Sequence, residues 1–268
     1  MMKNDSNDVR VRPAAVAGMF YPGDPAVLRQ QVSRMLAAAD DQGEPPKALI
    51  APHAGYVYSG QAAAEVYARL GKRRSAIRRV VLLGPAHRVA FRGIAGTTAD
   101  YFETPLGRVP VDREAMEAAW KIDGVFPADE AHAAEHSLEV QLPFLQLALD
   151  EFTVAPFVVG DAPAELTARL LEALWGGDET LIVISSDLSH YLDYDAARER
   201  DEQTARNIES LHGERIGPHD ACGFAPIRGL LAVARRKGLA VERVALVNSG
   251  DTAGDKQRVV GYGAYVLH

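Results

Sequence analysis

The sequence predicts a single α/β domain, with a mostly parallel or mixed central sheet and helices on both faces. Three observations carry this. From residue 47 onward, short apolar runs alternate with helix-like segments. Several of the runs ("KALIAP", "RRVVLLG", "TLIVIS") are continuously apolar rather than alternating, the pattern of strands covered on both sides. No repeat, low-complexity tract or long linker divides the 268 residues, a length that one α/β domain commonly occupies.

In chain order, residues 1–11 are polar and mixed in charge, which predicts a disordered tail before a domain over 12–268 and is unlike a signal peptide. "GMFYPGDPAVLRQQVSRMLAAAD" reads as a turn and then a helix. Asp24 is a good N-cap, Pro25 suits the first helical position, and Val27, Leu28, Val32, Met35 and Leu36 form the apolar face. "DDQGEPP" is a loop, 47–51 a buried strand, and "GQAAAEVYARL" (60–70) a helix packed through small residues. A second buried strand over 79–83 runs into Gly84-Pro85. Residues 92–112 read as loop and short, hairpin-like strand, and 113–121 as a helix. Residues 131–151 read as a loop entering a helix interrupted by Pro143. "FTVAPFVVG" is a third strand, 162–177 a helix, and 181–185 a fourth strand. Helices around 195–212 and 223–237 follow, then two closing strands with antiparallel character.

Composition excludes several function classes. The net charge is −7, and "GKRRSAIRR" (71–79) is the only basic cluster, which disfavours a nucleic-acid partner. No apolar run approaches the roughly 18 residues of a membrane span. The one cysteine, Cys222, permits no intrachain disulfide, in keeping with a reducing cytoplasm.

The chemistry collects after the buried strands. Strand 47–51 leads to His53, strand 79–83 to "GPAH" and His87, and strand 181–185 to "SSDLSH" with Asp187 and His190. In open α/β sheets the carboxyl ends of the strands are where ligands bind, because the loops there converge. "HAAEHSLE" adds Glu135, His136 and Glu139, and "ACGFAP" adds Cys222. Each alone has a bland structural explanation; their repetition at equivalent strand ends does not. Two histidines with a carboxylate are a non-haem Fe(II) pattern, whereas two histidines with a cysteine lean towards copper or zinc. A serine hydrolase built on Ser185 or Ser186 is weaker, because no G-x-S-x-G elbow is present. "VNSGDTAGD" lacks the lysine of a phosphate-binding loop, and no G-x-G-x-x-G follows a strand, so no nucleotide cofactor is expected.

Together and in this order, "FYPGDP", "APHAGYVYSG", "LGPAH", "EHSLEVQLPFL", "SSDLSH" and "CGFAPI" resemble the Memo family, the middle component of the bacterial and archaeal AmmeMemoRadiSam system. "NSGD" and "VVGYGAYV" resemble its bacterial branch. The resemblance implies a fold similar to class III extradiol dioxygenases and a metal bound by His53, His87 and Cys222. Asp187, His190 and His136 match residues lining the same pocket. Radical-SAM and AMMECR-type proteins of the same system are the implied partners. Some members carry a second histidine where this chain has Arg88.

The leading expectation is therefore a cytoplasmic metalloprotein with one iron or copper ion (zinc as a further candidate) and redox or oxygen-linked chemistry on a small molecule. His190, Asp187 and His136 are the expected catalytic residues, with His190 or His136 as acid/base. Tyr56, Tyr58, Glu135 and Ser186 are the expected pocket walls. Two alternatives stay open: an extradiol-type dioxygenase with Asp187 as the carboxylate ligand, and a non-enzymatic metal- or peptide-binding partner protein.

Overall fold

A computed structural model describes residues 9–268. Of the tail expected over 1–11, residues 1–8 lie outside the described residues. Val11 does not belong to a tail: strand β1 (Val11–Arg12) pairs in parallel with Tyr101–Phe102. Arg12 is buried and charged and finds its partner in the interior.

Helix α1 (Pro25–Ala38) starts as its sequence requires. Asp24 accepts from the amides of Ala26 and Val27, both at 2.9 Å, so two otherwise orphaned N–H groups are satisfied. Leu28 and Val32 are fully buried, but Val27 is exposed, because the face pressed on the core is narrower than the apolar pattern suggests. Strand β2 (Ala48–Ala51) follows, then helix α2 (Tyr56–Ala68), which begins four residues earlier than "GQAAA" would place it. A tertiary bond fixes that start: the Tyr56 amide donates to the Phe20 carbonyl at 2.7 Å.

Strand β3 (Arg79–Pro85) is the second buried strand. The expected loop-and-hairpin region resolves into β4 (Ile94–Gly96), β5 (Tyr101–Thr104) and β6 (Gly107–Pro110), the last two antiparallel. Helix α3 (Arg113–Ala119), strand β7 (Val125–Pro127) and the short helix α4 (Asp129–Ala133) lead into the His136 loop. Pro143 does not interrupt a helix. It sits in the first turn of α5 (Leu142–Ala148), where its missing N–H has no intrahelical acceptor to lose. Then come β8 (Thr153–Val159), α6 (Ala164–Ala173), β9 (Thr180–Ser185), β10 (His190–Leu192) and α7 (Tyr194–Glu209). Helix α8 (Phe224–Lys237), β11 (Val241–Asn248) and β12 (Val259–Leu267) close the chain.

Among the described residues, nine strands form the main sheet in the order β10-β12-β2-β9-β3-β8-β4-β7, with β11 also paired to β12. β1, β5 and β6 form a small second sheet. The centre, β2-β9-β3-β8, is parallel throughout, and antiparallel strands flank it on both sides. Every residue of β2 and β9 is buried. Total burial requires cover on both faces, and two groups of helices provide it: α1, α2 and α5 pack together, as do α3, α6 and α8. Among the described residues no helix is long and apolar enough to cross a membrane.

The consequence for function is positional. β2, β9 and β3 are adjacent and parallel, in a register that pairs Ala51 with Ser185 and Leu83 with Ile184. Their three exits, at Pro52-His53, Ser186-Asp187 and Ala86-His87, therefore emerge side by side at one sheet edge.

Candidate metal centre

His53 and His87 are each oriented by a partner that fixes the tautomer. His53 is buried, and its Nδ1 lies 2.8 Å from Ser185 Oγ. Ser185 spends its single proton on the Ser137 carbonyl at 2.5 Å and accepts from Gln141 Nε2 at 2.8 Å. Its remaining lone pair must take a proton from His53 Nδ1. His53 Nε2 is thus left unprotonated, an acceptor within reach of the Cys222 thiol. Gln141 is fixed in turn by the Tyr67 hydroxyl, which donates to its Oε1 at 2.8 Å.

His87 is set the same way by a charge. Glu135 Oε1 is 2.9 Å from His87 Nδ1, and Oε2 accepts from the His87 amide at 2.6 Å. The amides of His136 and Ser137 also donate to Oε1, each at 3.0 Å. Burial alone would raise this carboxyl, but the bonds from His87 and Ser137 hold it down at about 2, so it is ionised and can only accept. His87 therefore carries its proton on Nδ1 and offers Nε2. A carboxylate behind a histidine is the usual second layer of a metal site.

His136 completes a group of three. Ligand atoms of His53, His87 and His136 all lie within 4.8 Å of one another. The rings are 5.2 Å apart for His53–His87, 5.4 Å for His53–His136 and 4.6 Å for His87–His136. His136 Nδ1 is buried without a hydrogen-bond partner, although Glu135 Oε1 is 3.3 Å away. Burial, with the neighbouring imidazoles adding to it, pushes His53 well below the usual histidine range. Burial likewise brings His136 to about 4. His53 and His136 are therefore neutral at pH 7, the form that donates to a metal.

The loop bearing Glu135 and His136 is clamped from behind. Arg12 pairs with the fully buried Glu139 and donates to the carbonyls of His132 (3.0 Å) and Glu135 (2.6 Å). Glu139 also accepts from the amides of Ala15 and Val16 and from the Tyr21 hydroxyl, the last at 2.5 Å. Gly84 lets the loop lie close on β3, since a Cβ there would stand 2.8 Å from Ser137 Oγ.

Asp187 Oδ1 accepts from the His53 amide at 2.7 Å, fixing the turn after β2, and burial raises its carboxyl to about 7. Its Oδ2 is 4.0 Å from His53 Nε2, and it is not one of the three mutually close donors. Cys222 Sγ lies 3.4 Å from His53 Nε2 and accepts from the Asp187 amide at 3.3 Å. Burial, reinforced by Asp187, pushes this thiol up to about 12. His190 Nδ1 donates to the Leu188 carbonyl at 2.8 Å, which leaves Nε2 as an acceptor.

A cleft of about 770 Å³ opens over these groups, with His53, His87, His136, Asp187 and His190 all on its wall. Three expected wall residues lie behind it instead. Tyr56 begins α2 facing the core, its hydroxyl donating to the Val140 carbonyl; Tyr58, more than half a turn on, faces the cleft. Glu135 is turned inward to His87. Ser186 Oγ donates to the Asp187 carbonyl and accepts from the Gly223 amide. With Ser185 likewise buried and bonded, no serine nucleophile of that pair faces the cleft. Sequence reasoning missed Gln141, Phe20 (ring 4.6 Å from His136) and Tyr262. All three lie inside motifs that carried the family resemblance, Phe20 in "FYPGDP", Gln141 in "EHSLEVQLPFL" and Tyr262 in "VVGYGAYV", but nothing in their residue type marked them as site residues.

Comparison with known proteins agrees with this architecture. A family model described as Memo-like protein matches residues 12–266. The chain belongs to the Memo family. It is 39% identical to a MEMO1 family protein of Aquifex aeolicus, over 95% of this chain and 98% of that one. It is 35% identical to a MEMO1 family protein of Methanosarcina barkeri, over 96% and 100% of the two chains. In fold it is similar to the crystal structure of uncharacterized protein JW3007 from Escherichia coli K12, with a TM-score of 0.55 and 14% identity, covering 82% of this chain and 98% of that one.

Proposed function

We propose that this Memo-family protein is a cytoplasmic metalloenzyme that uses one transition-metal ion, iron or copper, for redox or oxygen-linked chemistry on a small molecule. The observation that carries the reading is the convergence of three imidazoles, two with their Nδ1 taken up by hydrogen bonds so that Nε2 is left for the common centre. That donor set suits a first-row transition ion. His53 and His87 would hold the ion, with His136 as third donor.

Cys222 is the further donor. Its Sγ lies 3.4 Å from His53 Nε2, close enough for both atoms to meet one ion. The imidazoles donate without losing a proton, whereas the thiol must release one.

When bound, the ion would supply Lewis acidity and a redox couple. The chain's own groups supply the rest. His190 Nε2 is an unprotonated acceptor on the cleft wall, fit to take a proton from a substrate, and Asp187 holds the His53 turn in place. The extradiol-type reading with Asp187 as ligand is less favoured, because its Oδ1 is taken up by the His53 amide and its Oδ2 stands 4.0 Å from His53 Nε2, farther than Cys222 Sγ at 3.4 Å.

The test is metal stoichiometry by elemental analysis after anaerobic loading with Fe(II) or Cu. The wild type should hold one equivalent, His53→Ala and His87→Ala close to none, and His136→Ala and Cys222→Ser should each bind more weakly. Full stoichiometry in the His53 and His87 variants would overturn the proposal.

A further inference from the structure

The cleft has one wall whose construction the metal site does not explain. It is the strand pair β10–β12. His190 pairs with Val260 and Leu192 with Val259, so Tyr191 is an extra residue, a bulge in β10. Bulges re-aim side chains and concentrate beside functional sites. Tyr191 has φ 61°, a left-handed conformation that a bulky L-residue adopts against steric resistance and that glycine would hold freely. Strain of this kind persists where the surroundings impose it, and it clusters at ligand sites.

The bulge achieves a particular placement. Tyr191 is 63% exposed, and the guanidinium of Arg258, the residue just before the strand that pairs with β10, lies 5.0 Å from its ring centre. Tyr191 and Arg258 line the same cleft as the three histidines, together with Phe20, Tyr58 and Tyr262. Among the described residues, no carboxylate oxygen comes within 4.0 Å of the Arg258 guanidinium. Asp255 lines the cleft too, but its Oδ1 accepts from the Gln257 amide at 2.8 Å. The cleft thus combines a cation without an ion-pair partner, held against an aromatic face, with further aromatic rings and the candidate metal donors.

We propose that Arg258, steadied by the Tyr191 bulge, is the recognition site for the negative group of a small planar organic anion. A guanidinium binds a carboxylate or a phosphate through two parallel N–H bonds, and the aromatic wall suits a flat, polarisable body. This deepens the metalloenzyme reading by naming its substrate class, and it rests on that reading only for what happens at the histidines.

The test is calorimetric binding to the full-length chain, with and without Fe(II), of benzoate, phenyl phosphate and the neutral isostere benzamide. One of the two anions should bind at least tenfold more tightly than benzamide, and which one does so identifies carboxylate or phosphate. Arg258→Gln should remove that preference and leave the benzamide affinity within twofold. Tyr191→Gly should keep or raise Tm by relieving the backbone while weakening anion binding severalfold; a tyrosine with a merely structural role would lower Tm and leave binding alone. An anion preference absent in the wild type, or intact in Arg258→Gln, overturns the proposal. Repeating the titration on His53→Ala separates the two readings: anion binding there should persist without metal, so failure of the metal site leaves the Arg258 result standing.

Discussion

Replacing Glu135 with glutamine should damage both the stability of the fold and its grip on metal. The carboxylate is 2% exposed and receives four N–H groups: His87 Nδ1 and the amides of His87, His136 and Ser137. Those bonds lower its pKa from 4.5 to about 2 in spite of burial. At about 1.4 kcal/mol per pH unit, the folded protein prefers the ionised over the neutral side chain by roughly 3 kcal/mol. Glutamine is a permanent neutral mimic. Its Oε1 can keep the three bonds made to that oxygen, but its NH2 would face the His87 amide, donor against donor, where Oε2 now accepts at 2.6 Å. A loss of about 2–3 kcal/mol should lower Tm by roughly 5–10 °C for a domain of this size. With the His87 tautomer no longer held by a charge, metal affinity should fall about 10–100-fold. Thermal melting and anaerobic metal titration on Glu135→Gln read the two effects separately. A variant with unchanged Tm and unchanged affinity would refute the claim that this carboxylate orders His87. The sign with pH follows from the lowered pKa: the stabilisation is complete above pH 4.5 and is lost as pH falls towards 2.

Arg12→Met should cost about 3–5 kcal/mol, because it strands the fully buried Glu139 without its cation; chemical denaturation with an unchanged midpoint would count against the clamp. His132 is buried, donates from Nε2 to the Ala95 carbonyl, and is pushed by burial to about 4. The unfolded chain takes up this proton near pH 6.5, so the contribution is full above 6.5 and is lost as pH falls towards 4. Urea midpoints at pH 7.5 and 4.5 should show a deficit of roughly 2–3 kcal/mol from this residue, and the pH slope over that window should flatten in His132→Gln.

The strand-end histidines were legible because of how parallel sheets are written. A run of apolar residues with no alternation marks a strand buried on both faces, and whatever follows it emerges at the carboxyl edge. The sequence alone therefore places His53, His87 and Asp187 together. The antiparallel closing strands were legible for a related reason, lying at the end of an otherwise helix-linked series. The 131–141 loop was a different matter. Its residues were candidates, but which way each faces depends on Arg12 reaching Glu139 across 127 positions, a long-range bond that local pattern does not encode. Read from sequence, His136 was an acid/base and Glu135 a pocket wall. In the fold, His136 stands among the converging imidazoles and Glu135 behind one of them. Pro143 shows a smaller version of the same limit: in the middle of an apolar stretch it suggests a break, and only the turn before it reveals a helix start. The Tyr191 bulge left no mark in the sequence, since nothing in "SHYLD" announces a tyrosine with positive φ.

X-ray absorption at the metal edge, on the full-length protein loaded anaerobically with one equivalent of Fe(II) or Cu, tests the central claim most directly. It should show scattering from at least two imidazole rings, with nitrogen at about 2.0–2.1 Å, and a sulfur shell near 2.3 Å if Cys222 joins them. A spectrum with no imidazole scattering would place the ion elsewhere and contradict the account.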